Sequence, residues 1–183
     1  MKTKSLRRYT FLLACVLICS DAANLFTANM RSFVESVRRK APVVYAGSVK
    51  EVRMLQRTKF DIKAKAVVDI KAVMRTPGSN PRQATIEYSS FDEKTPMLEG
   101  GPQYQLRSGV SVIVFARSFN ATIPPGYLMQ GTREELLHRV EALSDALSKM
   151  SADQLKVNEI TEGDRRVQMS LYERLSADLR SGK

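Results

Sequence analysis

The sequence predicts an α+β fold with one N-terminal helix, a small and strongly bent antiparallel sheet or β-barrel, and a C-terminal helical hairpin. Two observations predict it: apolar residues alternate with polar ones from Phe60 to Met74, and leucines recur at helical spacing after Gly131. With 183 residues, 43% of them hydrophobic, the chain can bury one sizeable core. We expect a signal peptide at 1–22, a helix with the β-domain at 23–131, and a helical region at 132–183.

The first 22 residues have the three zones of a secretory signal peptide. Cations within residues 2–8 precede an apolar run from Phe11 to Cys19, and small residues follow. This apolar run is too short to span about 30 Å of hydrocarbon. We expect cleavage after Ala22, because Ser20 and Ala22 supply the small side chains that a signal peptidase requires. The mature chain would keep 25 Lys and Arg against 18 Asp and Glu, and would therefore remain basic.

Both cysteines of the chain, Cys15 and Cys19, lie within this signal segment. One alternative is a lipobox at Leu12–Cys15, in which Cys15 would be acylated and become the mature N-terminus. Cleavage after Ala22 instead leaves a mature protein without cysteine, which is typical of bacterial periplasmic or secreted proteins. We therefore predict a periplasmic or extracellular protein, with a lipoprotein anchored at Cys15 as the alternative.

The first predicted element of the mature chain is a helix that ends before Pro42. Apolar residues from Met30 to Ala41 recur at helical spacing, and three cations at 38–40 lie where the helix dipole favours positive charge. We expect this helix to dock on the fold with a solvated basic end. A contact with a membrane or a polyanion is the alternative interpretation.

Five strands are predicted after this helix. From Phe60 to Met74 every even position is apolar and most odd positions are charged, which predicts a strand with one face in a core. Val110–Ala116 is apolar almost throughout, so we expect it to be buried on both faces. Gly47 inside the first strand indicates a bulge or a bend. The remaining strands are expected at Val43–Leu55, Ala84–Ser89 and Tyr127–Gln130.

The C-terminal third changes to helical periodicity. Thr132 and Glu135 have the spacing of a capping box, and Gly163 interrupts the helical pattern. A helical hairpin or a broken long helix is therefore expected. Its two apolar stripes consist of Leu136, Val140, Leu143, Leu147 and Met150, and of Val167, Leu171, Leu175 and Leu179.

No arrangement of residues typical of an enzyme is visible. The single histidine, His138, lies in the first C-terminal helix, and no nucleophile, metalloprotease, phosphate-binding or dinucleotide-binding motif occurs. We predict a non-enzymatic protein without a metal site or a cofactor. The alternative is an enzyme that uses carboxylates of the long loop between Phe91 and Gly109, namely Asp92, Glu93 and Glu99.

Charge distribution suggests where a partner could bind. Residues 50–75 hold eight Lys and Arg against three acids, whereas residues 134–164 hold eight acids against three bases. The two regions could simply offset one another within the fold. A binding site is expected on a basic strand face together with the Phe91–Gly109 loop, and the residues of that face are Lys63, Lys65, Lys71 and Arg75.

Four segments in sequence carry a resemblance to a known family: "APVVYAGSVKEVR", "KAKAVVDIKAVMRT", "ATIEYSS" and "LRSGVSVIVFA". In this order they are similar to netrin-like domains related to tissue inhibitors of metalloproteinases, especially to bacterial secreted versions without disulfides. The resemblance implies a five-stranded OB-like barrel in an exported protein, with binding as its usual role. It does not imply inhibition, because the family's inhibitors chelate zinc through an N-terminal cysteine, and this mature chain would begin at Ala23.

These observations together predict an exported binding domain of the cell envelope or extracellular space. Its expected partner is a protein or an anionic envelope component. A membrane surface is possible as well, and nucleic acid is not expected of an exported chain. The alternative is an envelope assembly or scaffold protein that binds a partner helix or a second copy through its C-terminal amphipathic helices.

Overall fold

The computed structural model describes residues 34–58, 61–91, 104–124 and 126–181. The chain divides into two units, Met1–Ser36 and Val37–Lys183, and only residues 34–36 of the first are described. The expected signal peptide, its cleavage site and Cys15 lie outside the described residues. Asp92, Glu93 and Glu99 of the predicted long loop also lie outside them.

The predicted α+β fold class is confirmed. A strongly curled, half-barrel sheet of six strands has the order β5-β3-β2-β1-β4-β6 and is accompanied by an N-terminal helix and C-terminal helices. The sheet is mixed, because β5 pairs parallel with β3 while all other neighbours are antiparallel. The elements are α1 (34–40), β1 (Val43–Arg57), β2 (Asp61–Arg75), β3 (Gln83–Phe91), β4 (Ser111–Ala116), β5 (Ala121–Ile123), β6 (Leu128–Gly131), α2 (Arg133–Ser148), α3 (Ala152–Val157) and α4 (Glu162–Ser181).

The sheet buries apolar side chains on both faces. On the inner face of the curl, residues from all six strands form one core, and Ile123 of edge strand β5 and Leu128 of edge strand β6 both belong to it. On the other face, here called the helix face, side chains such as Phe115 pack with α2, α3 and α4. Strand β4 contributes alternate residues to both cores, which confirms the predicted burial on both its faces.

The long alternating strand changes faces part of the way along β2. Ala64, Ala66 and Val68 belong to the inner core, whereas Met74 belongs to the helix-face core. The register explains this change, because Gly47 is opposite Ile70 while Ala46 is opposite Ala72. Lys71 is thus an extra residue in β2. Because of it, the even-numbered side chains after Lys71 lie on the helix face, whereas those before it lie on the inner face. The prediction of a single core face along the whole strand is wrong beyond this point, although the irregularity expected at Gly47 is confirmed.

The three C-terminal helices fold back on the helix face of the sheet. Thr132 caps α2 with the predicted capping box, and α4 lies antiparallel to α2, since Arg133 bonds the carbonyl oxygen of Leu179 and Arg165 bonds that of Ser148. The predicted hairpin is therefore present. The apolar stripe residues that its helices bury in the shared core are Leu136, Val140, Leu147, Leu171, Leu175 and Leu179.

One member of the second stripe lies elsewhere. Val167 is 61% exposed, and α4 buries Gln168, Tyr172 and Ser176 in addition to its leucines. Because the leucines are used within the chain, docking of these helices on a partner stays a prediction. No helix in the described part of the chain is long and apolar enough to cross a bilayer.

The basic end of α1 is joined to the fold. Arg38 donates from Nε to the carbonyl oxygen of Gly126 at 3.1 Å, and its guanidinium carbon lies 5.5 Å from the centre of the Phe115 ring. Arg39 donates to the carbonyl oxygen of Asn158 at 3.4 Å. These two cations therefore have structural contacts, while Lys40 is exposed.

Candidate binding site

The predicted basic residues of β2 fall into two separate groups. Lys63 and Lys65 are two positions apart, so they lie on the same face of the strand, opposite the face of buried Ala64. Lys63 is exposed and Lys65 is half-buried. Lys71 lies six residues further along the strand, which corresponds to roughly 20 Å. The structure therefore brings together the first pair only.

Arg75 is committed to a structural role. Its Nη1 donates to the carbonyl oxygens of Arg39 at 2.9 Å and Ala41 at 2.8 Å. Burial lowers the pKa of this guanidinium, an effect that the nearby Tyr172 partly offsets. Lys71, the extra residue of the strand, lines a small cavity between sheet and helices together with Asp178.

Acidic residues near Lys63 and Lys65 partly offset the positive charge of this pair. Lys65 is paired in register with Glu87 on β3 and with Arg53 on β1. Asp69, on the same face of β2 as Lys65, accepts a hydrogen bond from Gln83 at 2.8 Å. This face is therefore a mixed-charge surface with two lysines at one end.

A larger concave surface lies next to β1, where this strand and the segment before β4 stop pairing. Val49 still pairs with the segment before β4, since its N–H donates to Val110 at 2.9 Å and its carbonyl oxygen accepts from Gly109 at 2.8 Å. The hydroxyl of Ser108 then donates to the carbonyl oxygen of Lys50 at 2.8 Å. Beyond this bond the two segments separate. The space between them is an open groove of about 1260 Å³ that we call the fork groove.

The floor of the fork groove is the inner face of the sheet. It includes Val52 and Met54 of β1, Ala64 of β2, and the aromatic rings of Tyr88 and Tyr104. The two rings meet edge to face with their centres 6.1 Å apart. Met54 is 52% exposed, which is high for a methionine in a sheet. The apolar floor of the groove is thus buried at Ala64 and the two tyrosines and open to solvent at Met54.

The charged residues that line the fork groove are mainly cationic. Four arginines line it, and Glu135 is the only acid among the lining residues in the described part of the chain. Glu135 is already engaged, because its carboxylate accepts the Thr132 N–H at 2.9 Å in the capping box. The arginines come from three places along the chain: Arg57 from β1, Arg107 from the segment before β4, and Arg133 and Arg139 from α2.

Two of these arginines, Arg107 and Arg139, are exposed at the groove, whereas Arg133 bonds the carbonyl oxygen of Leu179. Arg139 donates one bond, from Nη1 to the carbonyl oxygen of Gln130 at 3.2 Å. Arg107 is exposed, and its guanidinium group makes no hydrogen bond or ion pair with any described residue, although its carbonyl oxygen accepts from the N–H of Val110 at 3.2 Å. An anion in the groove could bind the exposed guanidinium groups of Arg107 and Arg139, because guanidinium groups bind carboxylates in a bidentate manner.

Hydrogen bonds hold Tyr104 and the neighbouring Gln105 in place at the groove. Its hydroxyl donates to the carbonyl oxygen of Pro124 at 2.7 Å, and the N–H of Gln105 donates to the side chain of Gln130 at 3.0 Å. Burial raises the pKa of Tyr104 to about 12, against the lowering effect of nearby backbone groups and Arg38. Burial also raises the pKa of Tyr88. Both rings are therefore neutral parts of the floor at physiological pH.

The predicted binding region and the groove share one segment of the chain, while the other lining residues were not predicted. The segment at 104–109 belongs to the predicted Phe91–Gly109 loop and does line the groove. Arg133 and Arg139 were missed, because the first directly precedes and the second lies within a region of net acidic charge, and both reach the groove only through the fold. Their spacing of six residues on a helix offers no signal by itself.

The described residues include no candidate metal site. Among them, no group of three or more His, Cys, Asp or Glu side chains could hold a metal ion. His138 is exposed on α2. No known protein family matches the sequence, and no curated protein matches it. The curled sheet is common to many families, so the resemblance to netrin-like domains stays a prediction.

Proposed function

We propose that this chain is an exported, non-enzymatic binding protein that holds an anionic partner in the fork groove. One observation carries the proposal: among the described residues, four arginines and a single, already bonded glutamate line a groove whose apolar floor is exposed at Met54. Arginine suits this role because its planar guanidinium binds carboxylates in a bidentate manner and is only weakly hydrated. The apolar floor adds affinity through burial of surface on binding.

The proposed groove and the predicted lysine face can be separated by one experiment. The double variant Arg107→Glu with Arg139→Glu changes the net charge by the same amount as Lys63→Glu with Lys65→Glu. Any difference between them therefore reports the position of the charges and not their sum. Three of the four residues are exposed and Lys65 is half-buried, so we expect both variants to fold, which circular dichroism and thermal unfolding would verify.

The measurement is the salt concentration at which the mature protein elutes from a carboxylate-bearing matrix. We expect the arginine double variant to elute at clearly lower salt than the lysine double variant, because its reversed charges are concentrated around one cavity. Equal elution would reject the groove as the site. Earlier elution of the lysine variant would move the site to the β2 face instead.

Export belongs to the same proposal. The predicted signal peptide supports it, and the resemblance to secreted netrin-like domains agrees with it. Expression of the full chain in a bacterial host, followed by mass spectrometry of the periplasmic fraction, should find a mature N-terminus at Ala23. An acylated N-terminus at Cys15 would identify the lipoprotein alternative. Recovery of the intact chain from the cytosol would contradict export.

A further inference from the structure

Among the described residues, one edge of β1 has no neighbouring strand at the fork groove. Strand β4 pairs with β1 from Val43 to Ser48 only, while β2 pairs with β1 as far as Arg57. From Glu51 onward, no strand within the described ranges pairs with this edge. A strand edge of this kind presents unpaired N–H and C=O groups that can accept another extended chain.

The direction of these main-chain groups follows from Val49. The side chain of Val49 lies in the inner core, and its N–H and C=O both point toward the β4 side. In a strand of L-residues, the residues whose side chains lie on one face all point their N–H and C=O groups to the same edge of the strand. Val52 and Met54 share the inner face, because they are paired with Ala66 and Ala64 of the inner core. Their N–H and C=O groups therefore point into the fork groove.

The open stretch of β1 is short and regular. Register shifts occur between Val49 and Glu51 and again between Met54 and Gln56, so residues 51–54 form an uninterrupted pleat between two irregularities. Such irregularities normally protect sheet edges by bending them away from incoming strands. A regular stretch of four residues between them offers four main-chain hydrogen bonds, two from Val52 and two from Met54.

The surroundings of this edge determine which chain it would accept. A strand added beside 51–54 would place alternate side chains over the apolar floor, where Met54 is half exposed. It would also lie in the groove that the arginines line, of which Arg107 and Arg139 are exposed. A second copy of this chain would bring two sets of these arginines together, whereas an acidic peptide would neutralise one set.

We propose that an acidic peptide segment of a partner protein binds by adding as a strand to residues 51–54 of β1. This inference rests on the proposed function and specifies its partner. Main-chain hydrogen bonds to Val52 and Met54 hold the peptide, its apolar side chains cover the groove floor, and its carboxylates meet the arginines. Affinity then depends on both the charge and the extended backbone of the peptide.

The test uses a blocked heptapeptide in which glutamate and valine alternate, a matched lysine–valine peptide, and an acidic peptide whose valine nitrogens are methylated. Amide hydrogen exchange of the mature protein is followed by NMR. At a peptide concentration about ten times the dissociation constant, exchange at Val52 and Met54 should slow about tenfold with the acidic peptide. The lysine peptide should leave it unchanged. The methylated peptide, which keeps the charge but lacks donors, should bind at least about tenfold more weakly.

Two variants at one position separate the main chain from the side chain. Met54→Pro removes the N–H that points into the groove and leaves the β1–β2 ladder intact, because edge positions tolerate proline. Met54→Ala removes the apolar side chain and keeps the N–H. We expect the proline variant to lose peptide binding and the alanine variant to retain most of it, at unchanged thermal stability of both.

The outcomes distinguish this inference from the proposed function. If the methylated and unmethylated acidic peptides bind equally, or if Met54→Pro binds normally, strand addition is overturned while the charged groove stands. Protection of Val52 and Met54 in the isolated protein would overturn it as well. Protection that rises with protein concentration would assign the edge to a second copy, and protection independent of concentration would assign it to this chain itself.

Discussion

Arg75 donates from its Nη1 to the main-chain carbonyl oxygen of Ala41 at 2.8 Å, directly after the last residue of α1. The same nitrogen donates to Arg39 at 2.9 Å. These carbonyls belong to a helix C-terminus, where oxygen atoms lack partners within the helix. A cation at this position also complements the negative end of the helix dipole. Arg75 thus joins the end of β2 to the end of α1. This residue of the predicted basic face therefore makes contacts within the fold.

Replacement of Arg75 should therefore destabilise the fold. Arg75→Met keeps the aliphatic stem but removes both hydrogen bonds, and we expect the free energy of unfolding to fall by about 1–2 kcal/mol. Urea unfolding of the mature protein measures this change. Lys71→Met removes one positive charge from an exposed position of the same strand, and it should change stability by less than about 0.5 kcal/mol. Equal losses in the two variants would contradict the structural role of Arg75.

Gly47 is required by close contact between β1 and β2. A Cβ atom at this position would lie 2.3 Å from the main-chain oxygen of Asp69 and 3.0 Å from the side chain of Val68. Because the first atom belongs to the backbone, the ladder itself would have to open. We expect Gly47→Ala to reduce the free energy of unfolding by about 3 kcal/mol.

The matched control for this prediction is Gly78→Ala. A Cβ atom at Gly78 would meet nothing within 4 Å. Thermal unfolding should therefore show a clearly lower midpoint for Gly47→Ala and a midpoint close to that of the unchanged protein for Gly78→Ala. A Gly47→Ala variant as stable as the control would show that the two strands approach less closely than described.

Local sequence patterns predicted most of the elements, because strands and helices bury periodic sets of apolar residues. The capping box of Thr132 and the strand from Ser111 to Ala116 follow from such local signals. Strand β5 was missed, since three residues are too few to show a period. The change of face at Lys71 was also missed. Apolar residues continue at every even position on both sides of Lys71, so the sequence pattern does not show that one residue is inserted there.

The fork groove depends on features that no local pattern records. Its arginines come from a strand, a loop and a helix, and each lies in an ordinary charged context in the sequence. The open edge of β1 follows from where β4 stops pairing, at Ser48 and Ser111. That point is set by the partner segment and not by β1 itself. A sequence can therefore suggest a basic binding protein, while the location of the site needs tertiary structure.

Stability should fall at high pH because the buried tyrosines resist ionisation. In the unfolded chain Tyr104 ionises with a pKa near 10, whereas burial raises the pKa in the fold to about 12. Between these values the folded state keeps a proton that the unfolded state has lost, so stability decreases as pH rises, by about 1.4 kcal/mol per pH unit for each such group. Urea unfolding at pH 9, 10 and 11 measures the slope.

Tyr104→Phe should be less stable at pH 9, because it loses the bond to Pro124, yet its slope above pH 10 should be shallower by that same amount. If the slope of stability against pH is the same in Tyr104→Phe, the hydroxyl of Tyr104 ionises as readily in the fold as in the unfolded chain. That result would contradict its burial in the groove floor.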